Sequence, residues 1–558
     1  MTGIAGGLAI ALALVLCLYP TAMLLRGSLS AGALGKFGAL TLRNYVAVYT
    51  SAETYQLFGV TLLYAAAVAV AAVLVGLLLA WIAVRTDTPL ASEMGWLVFI
   101  PYAIPGTLTS VAWILLANPN TGFLNVLARR ITGSNVTPFN VYSFLGMVFV
   151  AALPATILAF TFLAVALRAM DPSLEEASGM AGAGPLRTLW RVSIPLVRPA
   201  ALSMLAILLI LGLESFDVPA FVGIPARIYV FTTQVFVQTS VKIPPDYAMA
   251  ATYGMLLLLL TLVLTYAYQR SLAQPERYAT ISGKAFRPRR IKLGPWRWLT
   301  FAVFAVVFLI GAILPLLTLL AVSLAPSLNQ IRDATLAGWG GQHFGTILGD
   351  PIARRAIRNS VLLAVLGASA AMILSFFVSF NTTRARFRGR GLVEYLLFLP
   401  FAFPSLVLAV GVLWGYVRFP LAVYGTLWIL LLGYVTKFLP YGLRSVSGSL
   451  LQIHRELEES ARTSGATLGQ VLRRVVLPLT MPGFVAGWSL LVVIFLREFS
   501  MSLMLWSSGN EVVTVLFYDY WTNGRFGPLG ALGMLLIVIS LLIVLPVRRL
   551  MKVDAVIG

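Results

Sequence analysis

One polar stretch occurs twice in this sequence. Residues 171–199 read DPSLEEASGMAGAGPLRTLWRVSIPLVRP, and residues 454–482 read HRELEESARTSGATLGQVLRRVVLPLTMP. In both stretches a Glu-Glu pair precedes a glycine, and a proline stands thirteen positions after that glycine. Acids near a helix start, a glycine stop and a proline after a second short helix predict a helix–turn–helix unit. We call these units the first knob (171–199) and the second knob (454–482).

Most of the remaining sequence is apolar. Of the 558 residues, 59% are hydrophobic and 11% are charged, whereas about 25% are charged in a typical soluble domain. The single cysteine, Cys17, allows no intramolecular disulfide. The composition excludes a soluble cytosolic enzyme, a disordered chain and a disulfide scaffold. It predicts an all-α polytopic membrane protein.

Apolar runs long enough to span a membrane predict about twelve transmembrane helices, six on each side of a basic stretch. The runs are 4–25, 57–84, 95–117, 142–168, 200–222, 247–268, 298–323, 355–381, 393–417, 421–447, 483–507 and 529–548. The predicted domains are a first half at 1–268, a basic cytoplasmic linker at 269–297 and a second half at 298–558. An even number of spans in each half predicts parallel halves related by a pseudo-twofold axis along the membrane normal.

The net charge of +20 has two interpretations. In a soluble protein it would suggest nucleic-acid binding, whereas in a membrane protein basic residues collect in cytoplasmic loops. With a cytoplasmic N-terminus, most Lys and Arg residues fall in the predicted cytoplasmic segments, above all in 269–297. The charge therefore predicts cytoplasmic N- and C-termini, contact with membrane lipid and no nucleic-acid partner.

A proline motif also occurs once in each half. FIPYAIP at 99–105 aligns with FLPFAFP at 398–404. We expect the four motif prolines to break their helices and to free backbone carbonyls toward a cavity, with a simple kink as the alternative. These prolines are Pro101, Pro105, Pro400 and Pro404.

Four charged residues fall within predicted spans: Glu214, Asp217, Arg497 and Glu498. Charges inside a membrane are costly unless they are paired or hydrated, so they usually face the interior or a water-filled path. Phe216 and Phe499 align at the offset of the two knobs, which places the charges at equivalent positions in the halves. We predict a translocation pathway or gate here, with a structural ion pair as an equally weighted alternative.

The knob sequences carry a family resemblance. Their Glu-(Ala/Ser)-(Ser/Ala)-x-x-x-Gly pattern resembles the EAA loop of ABC importer permeases, the segment that sits in a cleft of the cytoplasmic ATPase. Ser178 and Ser460 replace alanines of the family pattern. Over nearly its whole length the chain resembles the fused two-domain permeases of the iron(III) importer group, with further matches at 213–225 and 497–506. The ATPase-coupling residues implied by the resemblance are Glu175, Glu176, Ala177, Gly182, Glu458, Glu459, Ala461 and Gly465.

The resemblance implies the type I ABC importer permease fold in a bacterial inner membrane. It implies a permease subunit that passes substrate from a periplasmic or extracellular binding protein to the cytoplasm. Ferric iron is the expected substrate, and thiamine, a phosphonate or a polyamine are the alternatives. The implied partners are that binding protein and two copies of a cytoplasmic ABC ATPase.

The sequence offers no catalytic site. It has no Gly-Lys-Ser/Thr triplet and so no P-loop, and we expect ATP and Mg²⁺ to bind the partner ATPase rather than this chain. Two histidines and one cysteine also predict no transition-metal site. An ion-coupled secondary transporter would also show repeats and intramembrane acids, but it gives no reason for two matching knobs.

Overall fold

The computed structural model describes residues 2–90, 104–171, 173–271, 290–333, 335–384, 389–420 and 422–550. Within these ranges the regular elements are helices, and β pairing is limited to two isolated bridges. Nine of the described helices are long and apolar enough to cross a membrane, and one sharply bent helix pair raises this number to as many as ten. The prediction of an all-α polytopic membrane protein is confirmed.

The helices of the first half follow the predicted apolar runs. They are α1 (Gly6–Ser28), α2 (Ala52–Arg85), α3 (Gly106–Ala117), α4 (Phe144–Ala169), α5 (Leu189–Glu214) and α6 (Tyr247–Ala267). Helix α3 is too short to span a membrane alone, and residues 95–103 of the predicted run 95–117 lie outside the described residues. Shorter helices at Arg43–Thr50, Phe123–Thr132 and Phe231–Phe236 lie between the longer ones.

The helices of the second half repeat this order. They are α7 (Gly294–Leu324), α8 (Pro351–Arg384), α9 (Arg390–Ala402), α10 (Ser405–Tyr416), α11 (Leu427–Gln452), α12 (Leu468–Arg497) and α13 (Phe526–Ile543). Helices α9 and α10 form the bent pair. Helix α11 has the length of a span but is not among the nine apolar helices. Shorter helices occur at Leu328–Arg332, Gln342–Gly349, Ser500–Leu505 and Val513–Thr522.

Two predicted spans end earlier than expected. The runs 200–222 and 483–507 were predicted as continuous, but α5 ends at Glu214 and α12 ends at Arg497. The backbone leaves the helix at the next residues and starts a new short helix two or three positions later. Hydropathy missed both breaks because the sequence after each break is still largely apolar.

The described residues form two compact units, which do not coincide with the two sequence halves. One unit comprises 1–51, 234–258 and 339–558, and the other comprises 52–233 and 259–338. The first helix of each half therefore packs among helices of the other half. The predicted halves describe the sequence repeat, and the compact units describe the packing.

Each exchanged helix makes specific contacts inside its unit. The Thr436 hydroxyl on α11 donates to the Leu16 carbonyl on α1 at 3.1 Å, and the Tyr19 hydroxyl donates to the Gly415 carbonyl at 2.8 Å. In the other unit the ring of Phe304 on α7 meets Phe160 on α4 edge to face, with centroids 5.8 Å apart.

The predicted linker lies mostly outside the described residues, which resume at residue 290. Its end pairs with the chain just after α2. The Ile291 N–H donates to the Arg85 carbonyl at 2.8 Å, and the Asp87 N–H donates to the Ile291 carbonyl at 3.1 Å.

Candidate functional site

The two knobs have the same backbone form. The first knob helix is Ser173–Met180 and the second knob helix is Arg455–Thr463. Gly182 and Gly465 follow them, each in the left-handed region at φ +82°. A side chain is disfavoured in that conformation, which is why glycine ends both helices. The first helix and the glycine turn predicted for each knob are confirmed. The prediction that the second helix ends before Pro195 or Pro478 is wrong, because a π-helical turn carries the helix past each proline.

A π-helical turn joins each knob to its spanning helix. The turns are Leu189–Ser193 and Leu472–Val476, and each ends two positions before a proline, Pro195 or Pro478. Proline cannot donate the ordinary helical hydrogen bond, and its ring clashes with the carbonyl four residues back, so the wider turn relieves the conflict. The knobs are thus continuous with α5 and α12.

A buried arginine anchors the first knob. Arg85 is the last residue of α2, and its Nε lies 3.1 Å from Glu175 Oε2 on the first knob helix. Its Nη2 also donates to the carbonyls of Leu167 at 2.9 Å and Met170 at 3.4 Å, where α4 ends. The Ser193 hydroxyl donates to the second carboxylate oxygen of Glu175 at 2.6 Å. One guanidinium thus joins three segments of the chain.

The second knob has the same anchor. Arg384 ends α8, and its Nε lies 2.8 Å from Glu458 Oε1 on the second knob helix. Its Nη2 donates to the carbonyls of Leu450 at 3.2 Å and Ile453 at 2.9 Å, where α11 ends. Both carboxylates are at least 90% buried, with Glu175 10% and Glu458 8% exposed.

The predicted coupling residues therefore divide into two groups. Glu175 and Glu458 face inward and pair with arginine, whereas Glu176 and Glu459 are exposed on the knobs. Of the others, Ala177, Gly182 and Gly465 are exposed and Ala461 is half-buried. Sequence reasoning treated Arg85 and Arg384 as loop charges. The two arginines align at the offset of the proline motif, so the sequence repeat could have identified them as equivalent residues.

The four charges predicted inside spans lie at helix ends instead. Glu214 is the last residue of α5 and Arg497 the last of α12. Asp217 lies just beyond the first break and Glu498 within the second. All four are partly buried. Placing them along continuous helices was wrong, because both helices break beside them.

In both helix breaks, side-chain hydroxyls donate hydrogen bonds to backbone carbonyls that have left the helix. In the first break the Thr232 hydroxyl donates to the Ser215 carbonyl at 2.6 Å. In the second break the hydroxyls of Ser502 and Thr514 donate to the Glu498 carbonyl at 2.6 and 2.8 Å. Buried carbonyls without a helix partner need such donors. The breaks are therefore fixed by side-chain hydrogen bonds.

Asp217 lies close to the start of α3. A Cβ atom at Gly106 would lie 3.0 Å from its Oδ2. Pro105 stands at the N-cap of the same helix in extended conformation. Glycine at this place lets the helix start approach a carboxylate, and a helix start favours negative charge.

The proline motif of the second half produces a sharp break. The axes of α9 and α10 differ by 106°, which is more than a kink, and the backbone is extended at Phe403 before Pro404. Pro400 lies in the short 3-10 turn before the break. The freed carbonyls of Phe401 and Phe403 accept hydrogen bonds from Lys437 Nζ on α11, at 3.1 Å for Phe401. Pro101 lies outside the described residues.

Lys437 was assigned only to a span by sequence reasoning. Its side chain is buried, with 3% exposed. The position at the knob offset in the first half is Pro154, which has no such donor. Among the described residues, no group of three or more His, Cys, Asp or Glu residues is placed to hold a metal ion.

Comparison with known families identifies the second half of the chain. Residues 379–553 match the binding-protein-dependent transport system inner membrane component. This stretch of the chain is similar to that permease family. The matched range includes Arg384, the second knob and the second helix break. The first knob lies outside it and is related to it by the internal repeat.

Three curated relatives match between 45% and 79% of this chain. The ferric transport system permease protein FbpB of Actinobacillus pleuropneumoniae is 27% identical over 420 residues, which are 72% of this chain and 58% of that protein. The Fe(3+)-transport system permease protein FbpB 2 of Haemophilus influenzae is 21% identical over 444 residues, 79% of each chain. The putative 2-aminoethylphosphonate transport system permease protein PhnV of Salmonella typhimurium is 26% identical over 250 residues, 45% of this chain and 93% of that protein.

The chain spans less than three fifths of the length of the first two relatives it matches. Among solved structures, a bacterial ABC transporter involved in the import of the acidic polysaccharide alginate aligns with a TM-score of 0.39 at 20% identity. The alignment covers 46% of this chain and 95% of that one.

Proposed function

We propose that this chain is the membrane-spanning permease of an ATP-driven importer in a bacterial inner membrane. The observation that carries the proposal is the pair of knobs, which share one sequence pattern, one backbone form and one anchor. A structure used twice in one chain suits two copies of one partner. We assign one copy of a separate ABC ATPase to each knob.

The exposed carboxylates are the proposed docking groups. Glu176 and Glu459 stand at equivalent positions on the two knob helices and are free of the anchor that holds Glu175 and Glu458. ATP and Mg²⁺ would bind the partner ATPase rather than this chain. In this arrangement both knobs and both termini face the cytoplasm, and membrane lipid surrounds the spans.

In the proposed cycle the ATPases act on this chain through the knobs. ATP binding and hydrolysis on the ATPases would displace the knobs, and that displacement would change which side of the membrane the pathway opens to. ATP can bias the permease only by binding the two states of the complex with different affinity. A periplasmic or surface binding protein would deliver substrate from the other side.

Ferric iron is the proposed substrate, because two of the relatives carry ferric or Fe(3+) transport in their names. A phosphonate is the second candidate, supported by the 2-aminoethylphosphonate permease relative. The helix breaks at Glu214–Asp217 and Arg497–Glu498 are the proposed pathway or gate. Carboxylates suit a ferric ion, whereas Arg497 would suit a phosphonate.

The test is transport by the reconstituted complex. The permease, its ATPase and its binding protein are placed in proteoliposomes, and uptake of radioactive ferric iron or 2-aminoethylphosphonate is measured with and without ATP. ATP-dependent uptake of one substrate is expected. Uptake driven by a proton or sodium gradient without the ATPase would contradict the proposal and favour an ion-coupled transporter.

Two variants extend the test to the sites. Glu176→Gln with Glu459→Gln is expected to lower the amount of ATPase that co-purifies. Glu214→Ala and Glu498→Ala are each expected to abolish uptake while the complex still assembles. Normal uptake in both alanine variants would assign the charges at the breaks a structural role.

A further inference from the structure

Two arginines stand out because they are charged, buried and outside both the docking surface and the helix breaks. Arg85 and Arg384 have side chains that are 1% and 12% exposed. Burying a guanidinium is costly unless its hydrogen-bonding groups are matched. Each arginine ends a spanning helix and lies beneath a knob, so its contacts connect the knob to the membrane part.

Each arginine reaches the knob carboxylate and the end of a second spanning helix at the same time. For Arg85 these are Glu175 and the last turn of α4. For Arg384 they are Glu458 and the last turn of α11. Arginine suits this task because its planar guanidinium carries five donors in a fixed fork. Lysine has its three donors on one atom.

The contacts of the two arginines correspond between the halves more closely than the neighbouring contacts do. The carboxylate and both carbonyl positions correspond at one offset of 283 residues. In contrast, Ser193 supports Glu175 with a hydrogen bond, and the corresponding residue is Val476, which has no hydroxyl. A buried ion pair can often be replaced by apolar residues without loss of stability. Stability alone therefore does not explain why the same ionic arrangement is present twice.

We propose that Arg85 and Arg384 are positioning residues that lock each knob helix to two spanning helices, so that a displaced knob moves both helices together. The proposal rests on the proposed function, because it takes the knobs as the input from the ATPases. The lock is electrostatic and buried, so bulk salt screens it weakly. It connects the first knob to α2 and α4, and the second knob to α8 and α11.

The experiment uses the full complex in proteoliposomes and separates assembly from coupling. Glu175→Gln with Glu458→Gln removes the charge on the knob side and keeps side-chain size. The measured quantities are the ATPase that co-purifies, the rate of ATP hydrolysis and the substrate transported for each ATP hydrolysed. We expect ATPase to remain bound and transport per ATP to fall about tenfold, within the usual range of coupling between sites.

Glu394→Gln is the matched control, since it breaks an exposed Arg–Glu pair on α9 with a 3.0 Å contact to Arg390. It should keep wild-type transport per ATP. Wild-type transport per ATP in Glu175→Gln with Glu458→Gln would overturn the lock. Absence of ATP-driven uptake in the wild-type complex would instead refute the proposed function, before any variant is compared.

A second variant covers the case in which the glutamine variant does not assemble. Arg85→Lys with Arg384→Lys keeps both charges opposite the carboxylates but cannot hold the carboxylate and two carbonyls at once. It should assemble and show the same loss of transport per ATP. Wild-type coupling here, or failure of both variant pairs to assemble, would assign the arginines to folding and overturn the proposal.

Discussion

The knob anchors and the helix breaks differ in how closely the two halves repeat. At the anchors, an arginine, a carboxylate and two carbonyls recur at corresponding positions. At the α9–α10 break, Lys437 caps the freed carbonyls, while the first half has Pro154 at the corresponding position. Matching anchors suit two copies of one partner. Under the proposed function, divergent membrane regions suit a single substrate, whose binding needs no symmetry between the halves.

The strongest test of this comparison is to remove each anchor arginine separately. Arg85→Met and Arg384→Met each leave a buried carboxylate without its charged partner, which costs about 3–5 kcal/mol. Both variants should lower the thermal unfolding midpoint of the purified permease by similar amounts. A large loss in one half and none in the other would show that the anchors are not equivalent.

The second test compares the stability of substitutions at Lys437 and at Pro154, and its expected effect is smaller. Lys437→Met leaves the carbonyls of Phe401 and Phe403 without their charged donor, at a cost of about 1.5–3 kcal/mol. Pro154→Ala should not destabilise, since proline inside a helix removes a backbone hydrogen bond. Denaturant unfolding of the two variants measures the difference, and equal losses would contradict the asymmetry.

A third test makes the first anchor resemble the second. Ser193→Val removes the 2.6 Å hydrogen bond to Glu175 and places there the residue found at Val476. The expected loss of stability is about 1 kcal/mol, with transport per ATP unchanged. A loss as large as that of Arg85→Met would mean that the serine, rather than the arginine, holds Glu175.

The smallest expected effect concerns the ion pair between Arg355 and Glu511 in the second half. The Arg355 guanidinium binds Glu511 through two hydrogen bonds of 2.9 and 3.1 Å. Ile228 stands at the corresponding position of the first half. Burial raises the pKa of Glu511, but hydrogen bonds from Arg355 and the Gly509 N–H outweigh it, so the pKa lies below its ordinary value.

The stabilisation from this pair is therefore present above the ordinary glutamate pKa and is lost as pH falls through the lowered value. The unfolding midpoint of the wild-type permease should drop in that acidic range, and Glu511→Gln should reduce the drop. An identical pH profile in the variant would show that the pair contributes nothing measurable, as many exposed pairs do.

Sequence patterns predicted local features well. Apolar runs identified the positions of most helices, and the glycine spacing predicted the turn in both knobs, because these features depend on neighbouring residues. The helix stop predicted before Pro195 and Pro478 was wrong. The break before Pro404 was also predictable, since proline cannot continue a helix hydrogen-bond ladder. Features that depend on distant partners were missed.

The burial of Arg85 and Arg384 is the clearest example of a missed feature. As residues at the ends of apolar runs they looked like topology signals, and only the folded chain brings a glutamate and two carbonyls to each of them. The breaks after Glu214 and Arg497 were missed for a related reason. Hydropathy measures how apolar a segment is but does not report where its carbonyls find hydroxyl donors such as Thr232 and Thr514.

The exchange of the first helices has a consequence for how the chain is made. Helix α1 leaves the ribosome well before its packing partners α10 and α11, which lie almost 400 residues later. At about 5–20 residues per second, α1 waits on the order of tens of seconds before it can pack. During that time α1 depends on lipid or on the insertion machinery for its surroundings. Once both first helices are in place the halves are interlocked, and a cut in the linker alone would not release either one.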